Sequence, residues 1–165
     1  MHSRRSCLQQ KNIQKQQVKL YNKQPHFIDT SVIVEILLNQ PHKKACLDYL
    51  HQANSGNRIC ITSNAAVGEI LTTLFLKKDI PSSEVTKVLE ALVELMSDFF
   101  FVTVNREAIE QEREIRQILR LDDMDLLHLA TAKSWGAVEF ATLDGHFDFN
   151  SEEKIGIKII LLRKR

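Results

Sequence analysis

HFIDTSVIVEIL, residues 26–37, is the stretch that decides the fold. Its first part, 26–29, is a short apolar run that ends in an acid, a pattern typical of a buried strand. The apolar residues of the following part, 30–39, recur at helical spacing. A strand that leads directly into a helix is the repeating unit of an α/β fold.

The rest of the chain continues this alternation. Apolar and β-rich runs predict strands at 58–62, 99–104, 138–143 and 157–162, with 99–104 as a buried strand. Helical spacing and capping signals predict helices at 41–53, 63–78, 105–119 and 122–135, and one more that begins at Pro81. Five strands separated mainly by helices favour a doubly wound parallel sheet.

Length and composition fit one globular domain. The chain has 165 residues, of which 44% are hydrophobic and 26% are charged, so it can build a buried core. Its three cysteines form no CxxC pair, which argues against a disulfide framework and most zinc sites. No apolar run is long enough to cross a bilayer, and the N-terminus lacks the apolar segment of a secretory signal. We therefore expect a cytoplasmic protein without a membrane partner.

The net charge of +1 hides an asymmetry along the chain. Residues 1–26 hold six of the 22 basic residues and no acid, so the remainder has 16 basic and 21 acidic residues and a net charge of −5. This balance argues against a basic groove for nucleic acid and favours a site that concentrates carboxylates. The basic, Gln-rich segment 1–24 is expected to be a disordered extension of the domain 25–165, with contact to RNA as the alternative.

Four acids stand out by their positions. Asp29 and Asp144 follow the first and fourth strands, and open parallel sheets bind ligands beyond the carboxyl ends of their strands. Asp125 lies near the start of an apolar helix, and Glu69 has only small residues as helical neighbours at i±3 and i±4. Each acid alone has a simpler interpretation. These are a turn or cap at either strand end, a helix-dipole contact at Asp125 and a boundary position at Glu69.

Taken together, the four acids point to a metal site. Carboxylates confined to a small space repel one another, and a divalent cation makes such a cluster stable. Mg²⁺ and Mn²⁺ prefer oxygen ligands, and no His and Cys set suggests zinc. A Mg²⁺ ion held by carboxylates can polarise a phosphoryl oxygen and lower the pKa of a bound water. The acids therefore predict metal-dependent hydrolysis of a phosphodiester.

Four segments of the chain resemble the PIN domain, a family of metal-dependent ribonucleases, and most of all its VapC-type toxins. FIDTSVIVEIL (27–37) resembles the opening strand with the first acid, and SNAAVGEILTTL (63–74) resembles the helix with the second. DLLHLATA (125–132) and ATLDGHF (141–147) resemble the segments that carry the third and fourth acids. All four occur in the order of the family, and the resemblance covers residues 25–163.

The resemblance implies a fold and an activity. The fold is a three-layer α/β/α arrangement around a five-stranded parallel sheet with the strand order 3-2-1-4-5. The activity is endonucleolytic hydrolysis of single-stranded RNA with one or two Mg²⁺ or Mn²⁺ ions. The residues that would hold these ions and carry the catalysis are Asp29, Glu69, Asp125 and Asp144.

Partners follow from the same resemblance. VapC-type proteins usually form homodimers, and the candidate face here comprises residues 74–76 and the helix at 82–98. They are silenced by a small antitoxin that inserts into the active-site groove. A catalytically silent PIN-fold module that binds protein or RNA is the alternative function. An aspartyl-phosphate phosphatase would need a second Asp where this chain has Ser31.

Four further residues are weaker candidates for the site. The resemblance favours Ser31 as support for metal ligands, with helix capping as the alternative. Thr142 points to the same side of its strand as the fourth acid and is expected to support it. Asp122 adds an acid beside the third acid, as a further ligand or as the helix cap. His128 shares the helical face of the third acid, with a buried, hydrogen-bonded histidine as the simpler interpretation.

Overall fold

A computed structural model describes residues 22–77, 80–147 and 152–163. Of the extension predicted at 1–24, residues 1–21 lie outside the described residues, and Gln24 already belongs to the first strand. None of the helices in the described part of the chain combines the length and the apolar character needed to cross a bilayer.

Five parallel strands form one sheet in the order β3-β2-β1-β4-β5, which confirms the order 3-2-1-4-5. The strands are β1 (Gln24–Ile28), β2 (Arg58–Ser63), β3 (Phe100–Val102), β4 (Glu139–Thr142) and β5 (Lys158–Leu161). The central strand is β1, in which Phe27 lies between Ile61 of β2 and Phe140 of β4. The segment 99–104 was predicted as a buried strand, but β3 is a short edge strand whose Phe101 is 37% exposed.

Helices connect the strands. The described residues contain α1 (Thr30–Leu37), α2 (Lys43–Ala53), α3 (Asn64–Thr72), α4 (Val85–Leu95), α5 (Arg106–Arg116), α6 (Asp123–Ser134) and α7 (Glu152–Ile155). A π-helical turn, Thr73–Lys77, continues α3, so the helix predicted at 63–78 is regular only in its first part. Ser63 and Asn105 cap α3 and α5 through their side chains. The short helix α7 had not been predicted.

Two hydrophobic cores hold the helices on opposite faces of the sheet. Because successive strand residues point to opposite faces, Phe27 packs in one core and Ile28 in the other. The first core joins the sheet to α5, α6 and α7, and the Phe27 and Phe140 rings stack there at 5.3 Å. The second core joins the sheet to α1, α2, α3 and α4. The protein is therefore a three-layer α/β/α structure.

The carboxyl ends of the central strands meet at one edge of this sheet. Asp29 follows β1, and its backbone N–H donates to the carbonyl oxygen of Ala141 in β4 at 3.0 Å. Asp144 lies two residues beyond the end of β4. Parallel pairing therefore places the first and fourth acids at the same edge, as their positions in the sequence predict.

Candidate functional site

Asp29 is the most buried of the four acids, with 3% of its surface exposed. It occupies the N-cap position of α1, but its side chain makes no capping hydrogen bond, so the capping alternative does not hold. Instead its Oδ2 accepts hydrogen bonds from Ser31 Oγ at 2.6 Å and from Thr142 Oγ1 at 2.8 Å. Burial raises the pKa of the Asp29 carboxyl above its ordinary value, and the two hydroxyl donors oppose that rise.

The same two hydroxyls also fix the segment that carries the fourth acid. Thr142 Oγ1 accepts from the backbone N–H of Asp144 at 3.0 Å, and Ser31 Oγ accepts from the backbone N–H of Leu143 at 3.0 Å. Each hydroxyl therefore donates to Asp29 and accepts from the chain beyond β4. The expected supporting residues, Ser31 and Thr142, thus connect the first acid to the segment of the fourth.

Asp144 is held by the turn that follows it. Its Oδ1 accepts from the backbone N–H of His146 at 2.8 Å and lies 2.9 Å from the imidazole Nδ1 of the same residue. The side chain of Asp144 is 30% exposed, and that of His146 is 84% exposed. The carboxylate therefore lies at the mouth of the site, with its orientation set by a local turn.

Glu69 reaches the site from α3 and contacts two other elements. Its Oε2 accepts from Thr30 Oγ1 at 2.8 Å and lies 2.7 Å from His128 Nε2. His128 is fully buried, and its Nδ1 has no hydrogen-bond partner among the described residues. His128 therefore combines the two interpretations of its sequence position, because it is a buried histidine that holds one of the candidate acids.

Three acids at the start of α6 differ in their contacts. Asp122 Oδ1 accepts from the backbone N–H groups of Met124 at 3.0 Å and Asp125 at 2.9 Å, so Asp122 is the helix cap. Asp123 forms an ion pair with Arg116 at 2.8 Å on the surface. The side chain of Asp125 takes no part in this cap, and Asp125 lies in the first turn of α6, where the helix dipole favours an acid.

Electrostatics show that the acids converge at Asp125. Burial, the larger cause, and the negative charges of other acids together raise the pKa of the Asp125 carboxyl to about 7. These acids are Asp29, Asp122, Asp144 and Glu69. The structure thus brings together all four acids singled out from the sequence, although they are up to 115 residues apart along the chain.

The donor set fits a hard divalent cation. In the described part of the chain, no three His, Cys, Asp or Glu side chains are gathered tightly enough to form a metal-binding group. The converging acids nevertheless offer only oxygen donors, and their mutual repulsion raises the pKa of Asp125. Oxygen donors with surplus negative charge suit Mg²⁺ or Mn²⁺ rather than zinc.

Sequence reasoning missed part of this arrangement. The resemblance favours Ser31 over Thr30 as the hydroxyl that supports metal ligands, yet Thr30 contacts Glu69 as well. His146 is not among the candidates from the sequence, yet it contacts Asp144. The spacing of polar residues in the sequence carries no signal for either contact, because both depend on how the turns orient the side chains.

Comparison with known proteins supports the fold. The family model of the PIN domain matches residues 26–150. No curated protein sequence matches this chain. Among solved structures, VapBC2 from Rickettsia felis, bound to a DNA fragment from its promoter, superposes with a TM-score of 0.61 at 14% identity over 82% of this chain and 96% of that one.

Two mycobacterial structures are also similar. VapBC-5 from Mycobacterium tuberculosis has a TM-score of 0.56 at 20% identity and covers 83% of this chain and 98% of that one. VapC20 from the same organism, described as a toxin that cleaves the sarcin–ricin loop, has a TM-score of 0.53 at 20% identity, with coverages of 72% and 89%. At these identities the structural likeness shows the fold alone.

The raised pKa of Asp125 predicts how the metal-free protein responds to pH. Its pKa is about 7 in the folded state and near 3.8 ordinarily, so between these values the folded state binds more protons than the unfolded state. The free energy of unfolding must then fall as the pH rises through this window. We expect Asp125→Asn to melt at a higher temperature than the wild type at pH 8 in EDTA, and this advantage to shrink toward pH 4.

Circular dichroism melts across this pH range measure the effect. Asp123→Asn is the matched control because Asp123 lies on the same helix with a side chain that is 87% exposed. We expect this control to show the same small change at pH 5 and pH 8. An Asp125→Asn variant that is no more stable than the wild type at pH 8 would contradict the prediction.

The two-sided role of Thr142 predicts a cost in stability. Thr142→Val keeps the shape of the side chain but removes a donor from Asp29 and an acceptor from the Asp144 N–H. We expect the free energy of unfolding to fall by about 1–3 kcal/mol, measured by urea unfolding at neutral pH. Thr131→Val is the control, since Thr131 is also fully buried but bonds only to Leu127 O in its own helix. Equal costs for the two variants would show that Thr142 has no special role.

Proposed function

The chain belongs to the PIN domain family, and we propose that it is a metal-dependent endoribonuclease that hydrolyses phosphodiester bonds of single-stranded RNA. The observation that carries the proposal is the convergence of carboxylates on Asp125, whose pKa rises to about 7. Burying an acid beside other acids weakens the fold at neutral pH, so stability alone does not account for this arrangement. A site for a divalent cation does account for it.

The four acids are the proposed metal ligands and catalytic residues. Asp29, Glu69, Asp125 and Asp144 would hold Mg²⁺ or Mn²⁺, which when bound supplies polarisation of a phosphoryl oxygen and a lowered pKa for the attacking water. Asp122 uses its Oδ1 on two backbone N–H groups, so we assign it to capping rather than to the ligand set.

The chain's own side chains hold the acids in place before any substrate arrives. Ser31 and Thr142 both donate to Oδ2 of Asp29. Neither of these two hydroxyls binds the other carboxylate oxygen, Oδ1. Thr30 and His128 both contact Oε2 of Glu69. Groups that are already oriented do not have to reorganise during the reaction, which is the main source of electrostatic catalysis.

The names of the structural neighbours support a more specific role. They are toxin–antitoxin proteins, and one is described as a toxin that cleaves the sarcin–ricin loop. We therefore propose that this chain is the toxin of a VapBC-type pair and that a small antitoxin is its protein partner. The expected source of the antitoxin is a small neighbouring reading frame with a DNA-binding N-terminus and an apolar tail that contains Arg.

Substitution of the acids tests the enzyme. We expect Asp29→Asn and Asp144→Asn to lower kcat for single-stranded RNA by at least about 100-fold, because each removes a charge that holds the ion. Gel assays with Mn²⁺ and with EDTA measure this. Attack by water should leave 5′-phosphate and 3′-hydroxyl ends.

Asp48→Asn is the control because Asp48 is an exposed acid that pairs with Lys44 on α2. We expect it to retain full activity. Equal activity of Asp29→Asn and the wild type would refute the proposed enzyme and favour the alternative, a catalytically silent binding module. Products that end in a 2′,3′-cyclic phosphate would exclude attack by water.

Exposed apolar side chains support the expected homodimer. Leu76 on the π-helical turn is 78% exposed and Val93 on α4 is 71% exposed. Leu89, one turn before Val93, is 38% exposed, and Leu92 is the buried residue of this helix. A second copy of the chain would cover these side chains, and their burial would drive the association.

A charge on this surface tests the dimer. We expect the wild type to elute from size exclusion with twice the 19.0 kDa mass of one chain, and Val93→Glu to elute with the mass of one chain. Multi-angle light scattering gives both masses. Ile109→Glu is the control, since Ile109 is 44% exposed on α5, which covers the other face of the sheet. A monomeric wild type, or a dimeric Val93→Glu variant, would refute the proposed interface.

A further inference from the structure

Arg163 occupies the space beside Gly145, the residue directly after the fourth acid. A Cβ atom built on Gly145 would coincide with the guanidinium group of Arg163 and would lie 3.1 Å from its Nη1. The backbone of Gly145 is not among the left-handed positions of the chain, so conformation does not require glycine there. The absence of a side chain at 145 is what leaves room for the guanidinium.

The topology of the sheet explains how Arg163 reaches this position. β5 pairs with β4, with Leu161 opposite Thr142, and the backbone N–H of Leu162 donates to Thr142 O at 2.9 Å. Arg163 therefore leaves β5 at the same edge at which Asp144 leaves β4. In the sequence it opens the run RKR at 163–165, so basic residues directly follow the last strand.

An acidic site needs a cation nearby if it is to bind RNA. The surplus carboxylates that raise the pKa of Asp125 also repel the phosphates of a nucleic acid. Arg116 is already paired with Glu112 and Asp123. Arg163, in contrast, is exposed and forms no ion pair within 4.0 Å with any residue that the structure describes. Its guanidinium can therefore bind a phosphate without breaking an existing pair.

We propose that Arg163 binds a phosphate of the RNA strand beside the acidic site, and that Gly145 is required because it makes room for the guanidinium. This inference rests on the proposed function and adds a substrate-binding residue to it. A guanidinium can donate two parallel hydrogen bonds to one phosphate, which fixes the strand as well as attracting it. Phosphate contacts of this kind position a nucleic acid without reading its bases.

Binding of a fluorescent single-stranded oligonucleotide tests the proposal without cleavage. The full chain carries Asp29→Asn so that the RNA stays intact, and anisotropy gives Kd across a salt series with Mg²⁺ present. We expect Arg163→Met to raise Kd about tenfold and to reduce the slope of log Kd against log salt by about 0.7, the value for one phosphate contact on a single strand. In the active protein KM should rise while kcat changes little.

Arg58→Met is the matched control. Arg58 is an exposed arginine at the start of β2, at the opposite edge of the sheet from Arg163. Arg58→Met removes one positive charge, as Arg163→Met does, so any effect of net charge on Kd appears in both variants. An equal change of Kd and slope in the two variants would show that Arg163 makes no local contact.

A double-variant cycle tests the link to Gly145. We expect Gly145→Ala to raise Kd because its methyl group displaces the guanidinium, and to add nothing further in an Arg163→Met background. Full additivity would refute the link. If Arg163→Met lowers the melting temperature but leaves Kd and the salt slope unchanged, Arg163 only covers the turn and the proposal is wrong.

The outcomes for Arg163 and for the enzyme can be told apart. A wild-type protein that neither binds nor cleaves single-stranded RNA would overturn the proposed function, and the assignment of Arg163 with it. A wild type that cleaves RNA, together with an Arg163→Met variant of unchanged KM and salt slope, would overturn the assignment of Arg163 alone.

Discussion

Repulsion between like-charged carboxylates at one edge of the sheet is the physical constraint on which the arrangement of the site depends. Burial, the larger cause, and this repulsion together raise the pKa of Asp125 to about 7. Neutral hydroxyls, rather than cations, stabilise the most buried acid, Asp29. The two cores supply the stability that this edge removes, since side chains such as Phe27 and Ile28 anchor β1 on both faces of the sheet.

Parallel topology imposes this convergence. Every crossover returns the chain so that each strand ends at the same edge, and residues far apart in sequence then become neighbours. Asp29 and Asp144 arrive just beyond strand ends. Asp125 arrives on the first turn of α6, and Glu69 on the second turn of α3. Thr30 joins the first helix to Glu69, and Thr142 joins β4 to Asp29, so the same contacts that build the site connect the layers.

The sequence predicts the five strands and the candidate acids, but it predicts neither the short helix α7 nor the contacts between the acids and their neighbours. Alternating patterns predict the five strands, and the position of Asp29 at a strand end predicts its place at the carboxyl edge. The order of the strands came from the resemblance, because hydrophobic patterns do not specify which strands pair. The sequence leaves open whether Asp122 is a further ligand or the helix cap, and the structure shows it as the cap. The packing of Arg163 on Gly145 depends on the direction of a long side chain, which spacing does not encode.

The opposite edge of the sheet shows that raised acid pKa values are not a general consequence of this fold. Glu139 begins β4, where burial alone would raise its pKa, but hydrogen bonds from Lys158 and Tyr49 at 3.0 Å lower it below its ordinary value. Hydrogen bonds and a lysine therefore stabilise the negative charge of Glu139, which lies away from the candidate site. Among the described residues no Lys or Arg pairs with Asp29, Asp125 or Asp144. This contrast between the two edges supports the proposed divalent cation as the counter-charge of Asp29, Asp125 and Asp144.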